Sequence, residues 1–383
     1  MDLDGLDAFD EYNQMENQLN QVDAEDLFDE YNEMENQLNQ VDEVDNMVVR
    51  IPRQFKRTSY FETYTEKDFF ERFRLSKNSA FEVLSQIEEH LQFTSARNKC
   101  LSPMNQFLIC LRAYATGGHL LSISDIFGPS KSSVCRIVQR VTPLIASLRP
   151  RYIHLPNNIE EVREQQAKWY EMRGFPRVIG CIDGSQIKIT SPGGNDAEIY
   201  RNRKGYFSIN IQAVCSADGL FQSITARWPG SAHDQTILNN SVVKQRFMRG
   251  DFANGVLLGD GGYTCTNFLL TPLRDPQTDA ERRYNQAHIG TRVKVEQLFG
   301  VWKRRFPIMA YGCRLSMRTV LPIIVATACL HNVAVRQGEP QPPANDDIGE
   351  YIVMDDNNYI VPAGNRNNDH VRRLFIENYF APP

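Results

Sequence analysis

The first 47 residues contain no lysine and no arginine, yet they hold 16 aspartates and glutamates. The overall charge of −5 is therefore not a uniform property of the chain. Residues 48–383 set all 42 basic residues against 31 acidic ones, a surplus of +11. An acidic arm precedes a basic body. Such a body suits a polyanionic partner, because phosphate neutralisation drives much of nucleic-acid affinity, although a scattered, solvated surface would have the same composition. Paired cysteines are also missing. The eight cysteines stand singly, none in a CxxC, and most lie in apolar stretches. That argues against a zinc module or a disulfide framework and for buried thiols in a reducing intracellular setting. No apolar run approaches the ~18 residues of a membrane span. The N-terminus has no basic-then-apolar pattern of a signal peptide. What remains, 42% hydrophobic and 10% aromatic over 383 residues, suits a soluble globular protein with two domains.

The arm is built on a tandem repeat. FDEYNQMENQLNQVD at 9–23 recurs as FDEYNEMENQLNQVD at 28–42. In each copy the apolar residues (Tyr31, Met34, Leu38 and Val41 in the second) are spaced for one short amphipathic helix. A shift of 19 residues turns the apolar stripe by roughly 100° on an ideal helix. The two stripes do not align, which argues against one long coiled coil. Residues 1–47 are expected to form a flexible arm, either ordering on a partner or dispensable.

From 48 to 170 the pattern is helical. Gly117-Gly118 stops one helix. Ser122–Phe127 then reads as a short helix, Gly128-Pro129 as a turn, and Ser130 as the N-cap of a helix with Val134, Ile137, Val138 and Val141 on one face. Helix, tight turn, helix is the arrangement that places a second helix in a DNA groove, though any helical domain contains such pairs. Lys131, Arg136 and Arg140 are its candidate DNA contacts. Residues 157–173 give one more amphipathic helix, ended by Gly174-Phe175-Pro176.

Strands dominate next. RVIGCIDGSQIKIT reads as a buried central strand around Asp183. YFSINIQAVCS alternates with period two and turns at Ala217-Asp218-Gly219 into LFQSITARW. A helix is expected over about 232–248, then strands in GVLLGD and NFLLTPL, then helices. Three strands joined by short loops are antiparallel, and the fourth, reached through a helix, can lie parallel beside the first. That order sets Asp183 next to Asp260. The expected fold is a mixed α/β sheet over 171–338 behind an all-helical domain, with a loosely packed tail at 339–383 docked through Tyr351–Val353 or Leu374–Phe380.

Four acids concentrate the chemistry: Asp183, Asp234, Asp260 and Glu296. A carboxylate inside an apolar strand is costly unless paired or metal-bound, so Asp183 needs a reason. Asp260 ends VLLGD before two glycines. Taken singly, either is also a strand-end turn former. Asp234 in SAHD also fits a capping box, and His233 fits a cap-region or core histidine, a metal ligand or a proton relay, with a structural or supporting role favoured. Glu296 lies beside a stripe of Val293, Phe299, Trp302 and Phe306, one turn after Arg292, with which it can pair. Gathered together, an all-carboxylate set suits Mg²⁺ or Mn²⁺, and two such ions suit phosphodiester chemistry. Arg203 and Lys204 in NRKGY, with Lys303, Arg304 and Arg305, are candidate phosphate contacts.

The stretches CIDGSQIKI, YRNRKGYFSINIQAV, WPGSAHDQTIL, LLGDGGY and RVKVEQLFGVWKRRF occur in an order that resembles the PIF/Harbinger transposases and the nucleases derived from them, within the DDE endonuclease superfamily. The resemblance covers roughly 100–335. It implies a ribonuclease H-like core, with Asp183, Asp260 and Glu296 as the catalytic acids and Asp234 as an additional metal position. It further implies a DNA transposase or transposase-derived endonuclease that cuts, and joins, strands with two Mg²⁺ or Mn²⁺ ions at terminal inverted repeats of double-stranded DNA. A Myb-like DNA-binding partner, a homo-oligomer and a nuclear location, reached from the cytoplasm with that partner, come with it. The contrasting expectation is a DNA-binding or scaffolding protein that has lost catalysis; a phosphohydrolase of small molecules is disfavoured by the basic helices. The arm at 1–47 has no counterpart in that family.

Overall fold

The computed structural model describes residues 58–92, 100–342 and 369–381. The repeat of the arm and the Tyr351–Val353 docking segment lie outside the described residues. The chain divides into two compact units at Leu148/Arg149. Helix 157–173, which sequence patterning assigned to the helical domain, packs within the second unit against its first strand.

The first unit is helical: α1 (Glu66–Phe73), α2 (Lys77–Leu84), α3 (Pro103–Thr116), α4 (Leu120–Phe127) and α5 (Lys131–Ala146). Local chemistry sets their starts. Thr65, Ser76, Ser102 and Ser130 each accept a hydrogen bond from the backbone N–H three residues on, satisfying a donor that the helix leaves open. Between α4 and α5 the chain turns at Gly128, whose φ of 85° favours glycine. The apolar faces close over Phe69, Phe73, Phe107, Tyr114 and Phe127, all buried. Arg140 is buried too, donating to the backbone carbonyls of His90 (2.9 Å) and Gln92 (3.4 Å). This corrects its assignment as a DNA contact: it ties α5 to the segment after α2.

The second unit is a five-stranded mixed sheet with helices against it. Its elements are α6 (Ile159–Arg173), β1 (Val178–Lys188), β2 (Ser208–Cys215), β3 (Phe221–Pro229), α7 (Asp234–Asn239), α8 (Val242–Arg249), β4 (Val256–Leu258), β5 (Leu269–Leu270), α9 (Asp279–Arg305), α10 (Met317–Arg336) and α11 (Asp369–Tyr379). The sheet order is β3-β2-β1-β4-β5, with β1–β2–β3 antiparallel and β4 parallel to β1. This is the arrangement expected, although β1 and β2 are joined by the long connection 189–207 and not by the short loop assumed for all three strands. The helix expected over 232–248 is two helices, because Ser241 caps a new start by accepting from the Lys244 N–H.

Adjacent strand residues project to opposite faces. One face of the sheet is filled by Ile182, Val214, Leu238, Val243, Leu257 and Tyr263. On the other, α9 packs on β1 and α10 on β3. The buried stripe of α9 runs through Tyr284, His288, Thr291, Val295, Leu298, Phe299 and Trp302. Val293, expected in the core, is 36% exposed. It lies about 160–200° from Val295 and Thr291 on the helix circumference. By length and composition α10 is apolar enough to cross a membrane, contrary to the expectation that no segment is. Yet 83% of its apolar window is buried inside the protein, against β3 among its contacts. The tail docks through α11, where Phe375 stacks on Phe175 (5.6 Å between centroids) and Phe380 meets Tyr284 edge-on.

Two buried histidines make this unit acid-sensitive. His288 donates from Nε2 to the Leu270 carbonyl and His331 to that of Gly219, each at 3.0 Å. Burial pushes both down to about 4 from 6.5. Between those values the unfolded chain binds protons that the folded chain refuses, so the histidines' contribution to stability is complete above pH 6.5 and is lost as pH falls toward 4. The shift corresponds to about 3 kcal/mol per histidine. The melting temperature is expected to fall steeply across this window, and His331→Gln to flatten the slope; an unchanged slope would remove His331 from the account.

Candidate active site

Strand pairing brings two acids together. Cys181 of β1 pairs with Leu258 of β4 in parallel register. Counting two residues on from that pair, Asp183, midway along β1, comes level with Asp260, just past the end of β4. Asp260 closes a tight turn in which its Oδ1 accepts from the Gly262 N–H (3.0 Å). Asp183 accepts from the Gly184 N–H at Oδ1 (2.9 Å), and its side chain is 16% exposed. It projects toward α9, as does Cys181, whose thiol meets the Thr291 carbonyl (3.7 Å).

From α9 comes Arg292. Its Nη1 donates to Asp183 Oδ2 at 2.7 Å, and its Nη2 donates to Glu296 Oε1 one turn along the helix. One guanidinium thus bridges a strand acid and a helix acid 113 positions apart in sequence. The pairing of Arg292 with Glu296 was legible from their i, i+4 spacing; the bond to Asp183 was not.

Asp234 reaches the cluster from the opposite side. It is 6% exposed. Its carboxylate packs over Gly184, where a Cβ would lie 2.4 Å from Oδ1. Gly184 faces away from Asp183, so Asp234 sits across the sheet from the Asp183–Arg292 pair. The capping box expected for SAHD does not form. His233 is the N-cap without a side-chain cap bond, and Asp234 is the first helical residue, accepting at Oδ1 from Asn210 Nδ2 (2.9 Å). Gln212 Nε2 donates to the Asp234 carbonyl and to the Tyr263 hydroxyl, both at 2.9 Å. Sequence reading missed Asn210, Gln212 and Tyr263 as site residues. The signal was the polar half of the alternation in β2, which here faces a buried site instead of water.

The electrostatics follow from this crowding. Burial pushes the Asp183 carboxyl up to about 8; Arg292 opposes the shift, while Asp260 and Asp234 reinforce it. Burial also raises Asp260, with the Gly262 N–H and Arg292 opposing and Asp234 and Glu296 adding. Burial disfavours the Arg292 charge, but Asp183, Glu296 and Asp260 outweigh it and hold the guanidinium above its ordinary value. The acids therefore form one electrostatic unit. Among the described residues, no three His, Cys, Asp or Glu side chains stand close enough together to hold a metal ion as they are. The donor set still suits a hard divalent cation: all its ligands are carboxylate oxygens, and Gly184 leaves room for Asp234 beside β1. Arg292 supplies the positive charge where Asp183 and Glu296 converge.

A profile described as "DDE superfamily endonuclease" matches residues 182–332, which include all four acids. A Bos taurus protein named "Putative nuclease HARBI1" is 32% identical over 245 residues, covering 63% of this chain and 70% of its own length. The Homo sapiens protein of that name is 31% identical over 252 residues, 65% of this chain and 72% of its own. This chain belongs to the Harbinger transposase-derived nuclease family. The Arabidopsis thaliana "Protein ALP1-like" is 26% identical over 309 residues, 73% of this chain and 74% of its own. No solved structure matches the chain.

The basic residues of this family member separate by burial. Lys131, Arg203 and Lys204 are exposed, and Arg136 and Arg304 are half-buried. Arg203 Nη2 contacts His233, 2.6 Å from Nδ1, beside Asp234. Lys303 and Arg305 are buried. Lys303 Nζ donates to the Gln186 carbonyl (3.5 Å), and Arg305 pairs with Glu339 (3.2 Å) and the Pro340 carbonyl (3.0 Å). This corrects their assignment as phosphate contacts. Three successive helical residues fan over about 200° of circumference, so a KRR run at a packed helix end cannot present every charge to solvent.

Proposed function

We propose that this chain is a divalent-metal-dependent DNA endonuclease that acts on double-stranded DNA. The observation that carries the reading is the juxtaposition of Asp183, midway along β1, and Asp260, just past the end of the parallel neighbour β4, with Glu296 facing Asp183 through Arg292, inside the span that matches the endonuclease profile. The sheet order supports a ribonuclease H-like core. Asp183, Asp260 and Glu296 would hold Mg²⁺ or Mn²⁺. Two such ions, when bound, supply an activated oxygen nucleophile and stabilise the leaving oxygen. Asp234, fixed by Asn210, tunes the charge beneath them. The exposed Arg203, Lys204 and Lys131, with Arg136 and Arg304, are the residues proposed to meet phosphates. Strand joining, terminal inverted repeats as substrate, homo-oligomerisation, a Myb-like partner and a nuclear location belong to the same reading.

The Arg292 bridge favours a second reading, a DNA-binding or scaffolding protein without catalysis, since a permanently paired set of acids holds no metal. Inverted-repeat plasmid nicked in Mg²⁺, and intact in EDTA, separates the two. Asp260→Ala is expected to abolish that nicking while DNA binding, read by gel shift, persists. Parental nicking by Asp260→Ala would refute the site.

A further inference from the structure

Arg292 is inserted among the acids, and it engages two of them at once. We propose that Arg292 is a built-in counter-ion that occupies the cation position of the acidic site, and that a divalent metal enters only as its guanidinium leaves Asp183 and Glu296. The inference rests on the metal-dependent reading above.

Three observations carry it. Both Asp183 oxygens are engaged, Oδ1 by the Gly184 N–H and Oδ2 by Arg292. A cation that takes the inward-facing oxygens of Asp183 and Glu296 competes directly with the guanidinium for the same lone pairs. Next, the acids need a positive charge in the folded protein. Asp183 and Arg292 are 16% and 20% exposed at their side chains; ionised carboxylates that are this buried and mutually close are costly without a counter-charge. Last, a way out exists. Glu296 is 36% exposed at its side chain, and Ile289 and Val293, flanking Arg292 on α9, are 53% and 36% exposed. Arg292 therefore lies at the solvent edge of the helix, and a rotamer change can carry its head outward without unpacking the core. Arg292 also shares a helix turn with Glu296, so the released group stays within reach and re-forms the bridge when metal departs.

Competition for one site weakens apparent metal affinity by the free energy of the displaced pair. In the DNA-free full-length protein, Mn²⁺ binding followed by the electron paramagnetic resonance of free Mn²⁺ should be on the order of tenfold tighter in Arg292→Gln than in the parent, and lost in Asp260→Asn. A residue that only supports the fold would lose affinity on substitution, not gain it. Should Arg292→Gln fail to fold, the parent protein supplies the measurement: phenylglyoxal modification of Arg292, read by peptide mass spectrometry, should accelerate when Mg²⁺ is added and show no such response in Asp260→Asn. Unchanged or weaker Mn²⁺ binding in a folded Arg292→Gln, or an Arg292 no more reactive with Mg²⁺ than without it, overturns the proposal while leaving the metal-dependent nuclease standing. Mn²⁺ binding that Asp260→Asn does not remove, or none in any variant, would overturn both.

Discussion

Without metal at pH 8, Asp183→Asn is expected to melt at a higher temperature than the parent, while its Mg²⁺-dependent nicking falls by roughly 10³-fold or more. The stability half follows from the Asp183 carboxyl, raised from 3.8 to about 8 chiefly by burial. Between those values the folded chain holds a proton that the unfolded chain has released, so the stability of the metal-free protein declines as pH rises through that window. One pKa unit is about 1.4 kcal/mol, so the ionised state at pH 8 carries a penalty of several kcal/mol. Asparagine resembles the protonated acid and keeps an oxygen for Arg292 to bond. Its advantage should be small near pH 4 and grow toward pH 8. Comparing variant with parent at each pH cancels the opposing contributions of His288 and His331. Thermal melts in EDTA at pH 5 and pH 8 measure it. A variant that melts below the parent at pH 8 would mean that the ion pair with Arg292 outweighs the burial of Asp183.

The same residue shows what the sequence could and could not disclose. An aspartate in VIGCIDGSQIKI stands out because charge in an apolar strand is costly. The short turn after Cys215 made β2 and β3 antiparallel, and one helical crossover put β4 beside β1; the antiparallel β1–β2 pair is joined by the long connection 189–207. Those rules depend on chain connectivity, which is visible in sequence. What stayed hidden depends on neighbours distant in the chain. Arg292 finds Asp183 across 109 positions. Asn210 and Gln212 looked like the wet half of an alternating strand, yet both are 3% exposed, because a polar face that lines a site has the same period as one that faces water. Arg140, Lys303 and Arg305 looked like a basic surface, but their guanidinium and ammonium groups bond backbone carbonyls or Glu339. Charge counts register how many such groups exist and not which face a helix turns inward. The SAHD stretch carried the letters of a capping box, and the strand opposite claimed its carboxylate first.

Gly184 offers the sharpest test of whether Asp234 belongs to the site. A methyl group there would sit 2.4 Å from Asp234 Oδ1 and 2.7 Å from its Cγ, distances no native contact sustains. The carboxylate cannot simply swing aside, since Asn210 grips Oδ1 and Gln212 holds the same residue's backbone. Either Asp234 gives up its donor or β1 shifts and carries Asp183 with it. Gly184→Ala should therefore lower stability by about 1–3 kcal/mol and cut metal-dependent nicking about 100-fold, the scale expected for ångström misplacement of a reacting group. Gly180→Ala, four residues earlier on β1, is the control. Its methyl would meet Val214 Cγ1 at 2.6 Å, Gln222 Oε1 at 2.9 Å and the Cys215 carbonyl at 3.1 Å, so it strains the sheet away from the acids. It should destabilise to a similar degree, read by chemical denaturation, yet nick at the parental rate per folded molecule well below its melting temperature. Equal loss of nicking in both variants would assign the effect to sheet strain. Parental nicking by Gly184→Ala would show that the placement of Asp234 does not matter to the chemistry, and Asp234 would then be a helix-start residue held by β2 and nothing more.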